Sequence, residues 1–501
     1  MKVLGAAAAR EADERTIAGG TPGIVLMERA AEAVARECAR AIAAVPLRGE
    51  RVVVLCGTGN NGGDGFGAAR LLRRTRAARD VAILLLGARE KVAGDALEML
   101  RRLEGEGGSV AEVEGVGGLE PLRGATLVVD ALLGTGLARP IREGTLHSAA
   151  VELASWPRSF VVAVDVPSGL DAGSERAEAP HVRADLTVTF GFPKVAHVRA
   201  PAAGACGRVL VADIGLLPGA GVAGGPEAVT ARDVAPLFPA RAAAAHKGSF
   251  GTLGVVGGAW GMAGAAALAA RAAFRSGAGK VVVVAEEPSR AAIHALVAEA
   301  TTAGALPPAG LTALAVGPGL GTAAGGRALL EAALATGLPA VLDADALNLL
   351  AGVPERLRGR AAPTVLTPHP GEASRLLGTP TADVAADAEG AARRLAARSG
   401  ATVVLKGFRS VVSSPEGRVA RVLAGNPGMA TGGSGDVLTG VVGALLARGL
   451  SAWDAASAGA YLHGLAGDLA REGAGEEALV ASDVAGELGA AFRLVRESGP
   501  A

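Results

Sequence analysis

Short β-branched runs alternate with Ala/Leu/Arg-rich stretches along this chain, and the alternation is its strongest structural signal. In the first half, Arg51–Cys56, Asp80–Leu86, Ala125–Asp130, Phe160–Asp165 and Ala184–Phe190 predict strands, with a further strand-like stretch at Arg208–Ile214. In the second half the strands are predicted at Gly251–Gly257, Lys280–Ala285, Ala313–Gly317, Ala340–Asp343, Pro363–Thr367, Ala401–Lys406 and Ser410–Ser413. Helices such as Val25–Ala44, Phe66–Arg76, Ala263–Ser276 and Val437–Arg448 lie between them. Strands alternating with helices predict an α/β class, with parallel sheets covered on both faces. Right-handed crossovers then bring the strand C-terminal ends, and the loops after them, to one edge of each sheet.

The Gly/Pro-rich stretch Leu217–Pro226 breaks the periodicity and marks a boundary, so we expect domains at 1–217 and 226–501. A chain of 501 residues needs more than one core, at roughly 100–200 residues per domain. The glycine motifs of the two halves differ, which predicts a fusion of unlike domains rather than a repeat. Composition narrows the function. Hydrophobic residues are 50% and charged residues 20%, which excludes a disordered chain. Formal net charge is zero and aromatics are 3%, which excludes a general nucleic-acid binder. Glycine, at 74 residues, far exceeds the usual share of about 7% and points to close backbone approach. Cys38, Cys56 and Cys206 have neither metal-ligand nor redox spacing, as expected in a reducing compartment. The N-terminus meets charge by Arg10 and makes a poor signal peptide. The uncharged stretches Phe250–Ala270 and Thr301–Gly326 are broken by glycine or proline and read as strand, loop and helix start, not membrane spans. A cytoplasmic protein without a membrane partner is expected.

The first chemical motif follows Arg51–Cys56. Gly57, Gly59 and Gly62 satisfy G-x-G-x-x-G between a strand and a helix, where amides can bind phosphate. Two features argue against a dinucleotide dehydrogenase. The second strand closes Leu84-Leu85-Leu86-Gly87, with no acid to hold a ribose. Asp64 lies within the expected loop, where it repels a pyrophosphate unless something offsets it. The strand ends Asp130–Leu137 and Asp165–Asp171 converge on the same edge in a doubly wound sheet. There Asn61, Asp130 and Ser168 offer oxygen ligands to a hard cation, and Asp165 is a candidate proton-transfer group. Taken singly, each Asp also suits a helix cap.

The second half carries Asn426-Pro427-Gly428-Met429-Ala430-Thr431-Gly432-Gly433-Ser434-Gly435-Asp436 ahead of a helix. Consecutive glycines there let several amides converge on one anion, and an Asp beside them can take a proton from a hydroxyl as phosphate arrives. These are the parts for phosphoryl transfer to an alcohol. Further strand-end loops are Gly317–Gly321, Asp343–Asn348, Thr367–Glu372 and Lys406–Ser410, the last suited to nucleotide phosphates. His369, between two prolines, has a rigid backbone and is the best-placed histidine. No P-loop lysine spacing occurs.

The set GNNGGDG, DALLGTG and DVPSGLD, with FGFPKVAH around Lys194 and PGIVLMERA before Ala33, resembles the epimerase domain of NAD(P)H-hydrate repair enzymes, over residues 1 to about 217. The resemblance implies a Rossmann-like three-layer αβα domain. It also implies substrate contacts from Asn60, Asn61, Gly62, Gly63 and Asp64 and from Gly134, Thr135, Gly136, Leu137, Ala138, Arg139 and Pro140. Asn61, Asp130 and Ser168 would hold K⁺, with Asp165 at the substrate as the catalytic group. The stretch AGSERAEAP after Asp171 departs from the usual Asp-Thr-Gly continuation. HKGSFG, GPGLG, DADALN, LTPHPGE and GGSGD, in this order over about 229–496, resemble the ribokinase-like α/β dehydratase domain of the same repair system. HKGSFG lacks the aromatic that often follows His-Lys in relatives. That resemblance implies hydrate contacts from Ala265, Gly319, His369 and Asp436, and nucleotide contacts from Lys406, Gly407, Phe408, Arg409, Ser410 and Gly435. Mg²⁺ would accompany ADP.

The implied activity is bifunctional. One domain epimerises the hydrates of NADH and NADPH (NADHX and NADPHX), and the other dehydrates the S epimer at the expense of ADP, giving AMP and phosphate. Asp436 would take the hydroxyl proton and turn a poor leaving group into phosphate, a good one. The residues alone leave ADP and ATP both open as donor. A homo-oligomer is expected. Two other readings compete. A small-molecule kinase would leave a stable phosphoester, but gains nothing obvious from the first domain. A scaffold of the kind found in RNA turnover or lipid-carrier binding has no need of Asp64, Asp130 and Asp165.

Overall fold

The computed structural model describes residues 1–44, 51–136, 141, 144, 146, 148–151, 159–217, 226–307 and 309–497. The chain divides into two compact units, Met1–Ala228 and Val229–Ala501. Most of the Gly/Pro-rich stretch expected to link them, 218–225, lies outside the described residues.

The first unit is built on a seven-stranded sheet. Its strands are β1 (Arg51–Cys56), β2 (Asp80–Leu85), β3 (Ala111–Glu112), β4 (Leu127–Ala131), β5 (Phe160–Val164), β6 (Leu186–Phe190) and β7 (Arg208–Ala212). The order is β3-β2-β1-β4-β5-β6-β7, and every pairing is parallel. Burial on both faces explains the unbroken apolar runs. On β1, Val52, Val54 and Cys56 enter one core while Val53 and Leu55 enter another on the opposite face. Chain direction across the sheet reverses between β1 and β4, so the connections after these two strands diverge and leave a crevice.

The second unit carries ten strands: β8 (Glu227–Val229), β9 (Thr252–Val256), β10 (Lys280–Val284), β11 (Thr301–Ala303), β12 (Ala313–Val316), β13 (Ala340–Leu342), β14 (Thr364–Leu366), β15 (Thr402–Leu405), β16 (Val411–Ser413) and β17 (Val419–Val422). The order is β11-β10-β9-β12-β13-β14-β15-β16-β17-β8, parallel from β11 to β15 and antiparallel through β16 and β17. On β12, Ala313 and Ala315 face one core and Leu314 and Val316 the other. Both units are of the expected α/β class, each built on a largely parallel sheet. In the second unit the strand order switches between β9 and β12, and the loops after these strands are joined: the Gly258 amide donates to the Pro318 carbonyl (3.0 Å) and Ala259 to Gly319 (2.7 Å). Among the described residues no helix is long and apolar enough to cross a membrane. Phe250–Ala270 holds β9 and the start of helix Ala263–Arg275, and Thr301–Gly326 holds β11, β12 and the start of helix Ala324–Ala335.

Candidate active sites

The first site lies where β1 and β4 diverge. The glycine run after β1 is not a loop through Gly65, as its composition suggested. A helix begins at Asn60 and runs to Thr75, six residues earlier than predicted, with extended Gly59 at its cap. The glycines serve close packing. A Cβ on Gly62 would fall 1.9 Å from the Gly57 carbonyl oxygen, and one on Gly65 2.6 Å from Ala131 Cβ. Asp64 therefore sits buried in the second helical turn. The amides of Asn60, Asn61 and Gly62 donate to no group among the described residues, as first-turn amides do when a ligand takes them.

Asp165 follows β5 with φ of 65°, a left-handed conformation that non-glycine residues rarely hold and that clusters at functional sites. Its Oδ1 lies 2.6 Å from Lys194 Nζ and accepts from Thr189 Oγ1 at 2.9 Å. Lys194 Nζ also donates to Thr189 Oγ1 (2.7 Å) and the Phe190 carbonyl (3.2 Å). Burial opposes charge on Asp165, but the Lys194 ammonium outweighs it, aided by His197 and Thr189, and the carboxyl stays below its ordinary range. Asp64 goes the other way, raised well above its ordinary value by burial and then by Asp165 and Asp13. A cavity of about 570 Å³ opens here, and Asn60, Asn61, Asp64, Gly134, Thr135, Gly136 and Asp165 all line it. Gly62 and Gly63 pack behind its wall, Gly63 against Met27 and Ala96. Leu137, Ala138, Arg139 and Pro140 lie outside the described residues.

The predicted cation ligands surround a fully buried carboxylate. Asp130 accepts from the Ser168 amide (2.8 Å) and Ser168 Oγ (2.6 Å) and has no cationic partner among the described residues. Burial pushes its carboxyl up to about 6 against those bonds. The Asn61 Nδ2 is buried without a partner, and turning that amide over would present its oxygen instead. A carboxylate, a hydroxyl and an orphaned amide fit a monovalent hard cation. Among the described residues no group of three or more His, Cys, Asp or Glu side chains forms a metal cage.

In the second unit, helix Ser434–Ala447 starts three residues earlier than predicted, after Gly433 in a left-handed conformation (φ 89°). Asp436 is thus a first-turn residue beside the Gly435 and Asp436 amides, which donate to no group among the described residues. Lys406 Nζ lies 2.7 Å from Asp343 Oδ1 and 3.7 Å from Glu372. Thr439 Oγ1 donates to the other Asp343 oxygen at 2.6 Å. A Cβ on Gly435 would lie 3.2 Å from Lys406 Nζ, so these two predicted nucleotide residues meet. Burial pushes Asp436 up to about 7. Asp343, Asp345 and Glu372 add to the shift, and Lys406 opposes it.

The remaining predicted residues divide. A Cβ on Gly319 would fall 2.8 Å from Met262 and 3.3 Å from Ala265, so Gly319 and Ala265 meet. His369 caps helix Pro370–Leu377. Its Nδ1 accepts from the Gly371 amide (3.0 Å) and its Nε2 lies 3.5 Å from Glu372, which also reaches Lys406. Phe408 is 51% exposed beside the Lys406–Ser410 turn, whose Gly407 amide donates to Ser410 Oγ (3.3 Å). Arg409 turns inward instead, buried and donating to the Leu423 carbonyl (2.7 Å), which ties the turn after β15 to the end of β17.

Four residues escaped the sequence reading as site members. Lys194 was noticed only as part of a motif, and Asp343 only as part of a loop. Asp13 lies in helix Ala6–Ala18 and lines the first cavity. His463 sits in helix Ala452–Ala474 with Nε2 3.3 Å from Ser434 Oγ, and burial lowers its pKa to about 4, keeping it neutral. Asp13 and His463 lie inside helices, away from the strand-end loops on which the sequence search relied.

Fold and sites together define a two-site α/β enzyme, one site arranged for proton transfer and the other for phosphoryl transfer to a hydroxyl. Residues 253–488 match the NAD(P)H-hydrate dehydratase family and residues 23–196 the YjeF-related protein N-terminus family. The chain is 39% identical to the bifunctional NAD(P)H-hydrate repair enzyme Nnr of Moorella thermoacetica, over 92% of this chain and 91% of that one. It is 35% identical to the Escherichia coli K12 enzyme of the same name, over 92% and 87%. The chain belongs to the family of bifunctional NAD(P)H-hydrate repair enzymes, which carry epimerase and dehydratase domains. The second unit is also similar to the ADP/ATP-dependent NAD(P)H-hydrate dehydratase of Bacillus subtilis, co-crystallised with ATP/Mg²⁺. Identity is 31% and the TM-score 0.51, over 55% of this chain and all of that one.

Proposed function

We propose that residues 1–217 carry the epimerase and residues 226–501 the dehydratase, with Asp165 and Asp436 as their catalytic groups. The observation that carries the dehydratase reading is Asp436, at about 7, beside unpaired first-turn amides and the Lys406 ammonium. A base poised near neutrality suits removal of a hydroxyl proton, and the amides suit the charge that develops on a transferring phosphoryl group. Asp436 takes the proton of the hydrate's hydroxyl, whose oxygen attacks the terminal phosphorus of ADP and releases AMP. The C–O bond then breaks with its electron pair leaving on phosphate. The ring gives up a proton and the double bond returns as NADH or NADPH.

Ala265, Gly319 and His369 would meet the hydrate. Lys406 through Ser410, by backbone and the Phe408 ring, would meet the nucleotide with Gly435. Relative to the B. subtilis dehydratase, either ADP or ATP suits the donor site. Asp343, Asp345, Glu372 and Asp436 outnumber the single Lys406 ammonium, which fits a Mg²⁺ ion delivered with the nucleotide phosphates. In the first unit, Asn61, Asp130 and Ser168 would hold K⁺ and fix the wall of the substrate cavity. A cytoplasmic homo-oligomer completes the reading, which the three buried free thiols favour.

Purified protein with mixed hydrate epimers tests the division of labour through recovery of reduced-nicotinamide absorbance, with ADP and ATP supplied separately. Asp436→Asn should lower dehydration by about 1,000-fold and leave epimerisation intact. Asp165→Asn should slow epimerisation alone. Loss of S-hydrate dehydration in Asp165→Asn would refute the assignment of the two activities.

A further inference from the structure

The first cavity holds a charged group that neither the sequence motifs nor the cation site accounts for. Helix Ala6–Ala18 turns Ala9, Asp13 and Ile17, spaced four residues apart on one helical face, toward the cavity. The helix is anchored beside that face: Thr16 and Ala12, which also lines the cavity, are buried, and Thr16 Oγ1 accepts from the Leu217 amide at 2.9 Å. The chain entering this helix is tied to the segment that carries Lys194. The Leu4 amide donates to the Pro193 carbonyl (2.8 Å), and the Val195 amide donates to the Leu4 carbonyl (3.2 Å). The two residues flanking Lys194 therefore fix the helix that carries Asp13. Asp165 and Lys194 enter the cavity from the strand ends, and Asp13 enters from the helix wall.

We propose that Asp13 is the second proton-transfer group of the epimerase, working across the cavity from the Asp165–Lys194 pair. The inference rests on epimerisation taking place in this cavity. Hydration of an enamine puts the hydroxyl on the carbon next to the ring nitrogen, and one route to inverting that carbon breaks its C–O bond to give an iminium ion and re-forms it on the other face. Asp13 gives a proton to the departing hydroxyl, which leaves as water while the nitrogen lone pair forms a C=N⁺ bond. Water then adds to the opposite face and Asp165 takes its proton. One water leaves and one enters, and the two carboxyls exchange protonation states. Asp13 keeps an exposed surface in the free protein, yet partial desolvation at the cavity wall pushes its carboxyl up to about 6, with Asp165 and Glu14 adding and Lys194 opposing, whereas Asp165 stays below its ordinary range. The other charged groups around it are Arg10 on its own helix, Asp64 on helix Asn60–Thr75 and Asp95 on helix Gly94–Gly105.

The test is the epimerisation rate of Asp13→Asn and Asp13→Glu in the full-length protein, with Asp165→Asn as reference. S-hydrate dehydration and the melting temperature report intact folding. Asp13→Asn should slow epimerisation about 100-fold, lose the alkaline fall of the pH profile and leave dehydration unchanged, and Asp13→Glu should restore part of the rate. Wild-type epimerisation in Asp13→Asn, with Asp165→Asn inactive, overturns the role of Asp13 alone. Wild-type rates in both overturn the placing of epimerisation in this cavity, and this inference with it. A melting temperature lowered equally in both Asp13 variants, without rescue by Glu, marks a structural residue and also overturns it.

Discussion

The two sites use the same local plan, an Asp at the C-terminal edge of a parallel sheet beside a glycine-led helix start, and reach opposite charge states. Asp165 has its lysine at 2.6 Å and stays ionised despite burial. Asp436 has a lysine nearby too, but Lys406 bonds Asp343 at 2.7 Å, and Asp436 remains among three further carboxylates. The difference is the lysine's partner rather than its presence. A carboxylate with its own ammonium is a stable anion. One that must share sits near neutrality and can both take and release a proton at cellular pH.

Removing the direct pair tests this most severely. Lys194→Met leaves Asp165 buried without its cation, and breaking such a pair costs about 3–5 kcal/mol. The carboxyl should then rise out of its low range and become protonated. Epimerisation should fall by about 100-fold while S-hydrate dehydration keeps its rate. If the variant epimerises normally, the ion pair is structural, and the contrast between the sites has no chemical meaning.

The pH profiles should differ in sign, by smaller factors. With Asp436 as the proposed base, the kcat of dehydration should rise through about pH 7 and level off above, reaching about a tenth of its plateau at pH 6. Epimerisation needs one proton shared between Asp13 and an Asp165 that is already ionised, so its rate should fall as pH rises past about 6. Rate against pH for each activity, from separately prepared epimers, decides it. Parallel profiles would remove the contrast.

How much of this was legible in the sequence follows from what each feature depends on. Strands buried on both faces leave unbroken β-branched runs, so the central strands and the strand-end position of Asp165 could be read directly, whereas Asp436 was found through its glycine motif ahead of a helix. The edge strands Ala111–Glu112, Glu227–Val229 and Thr301–Ala303, and Val419–Val422 next to an edge, are two to four residues long and leave no comparable run. Both catalytic helices were expected too late in the chain because glycine reads as a loop signal. Here Gly62 and Gly65 are demanded by neighbouring backbone and side-chain atoms within the helix itself. Side-chain pairing was not legible at all. Lys406 bonds Asp343, 63 residues away, and Lys194 bonds Asp165 across 29, both consequences of strand order rather than local pattern. Arg409 was read only as one member of the Lys406–Ser410 loop, and its left-handed backbone (φ 51°) and its bond to the Leu423 carbonyl leave no mark in that local pattern.

The smallest expected effect concerns stability. Asp436 has a folded value of about 7 against an ordinary 3.8, so the folded chain holds a proton there that the unfolded chain has released between those values. Below about pH 4 the carboxyl is protonated in both states and costs nothing. From pH 4 to 7 its penalty to folding grows, and above pH 7 it is fully present. Asp436→Asn keeps the shape and removes the charge. It should therefore raise the melting temperature at pH 8 by a few degrees, and the gain should shrink steadily and vanish near pH 4. Asp165→Asn should act in the opposite direction at pH 8, because it deprives Lys194 of its partner and leaves a buried ammonium unpaired. Melting curves of the two variants at pH 4, 6 and 8 measure both signs. A stabilising Asp436→Asn beside a destabilising Asp165→Asn would show that the dehydratase carboxylate is held against its own folding preference while the epimerase carboxylate is not. Equal signs would mean that Lys406 compensates Asp436 after all, and that its poise near pH 7 comes from somewhere other than the missing partner.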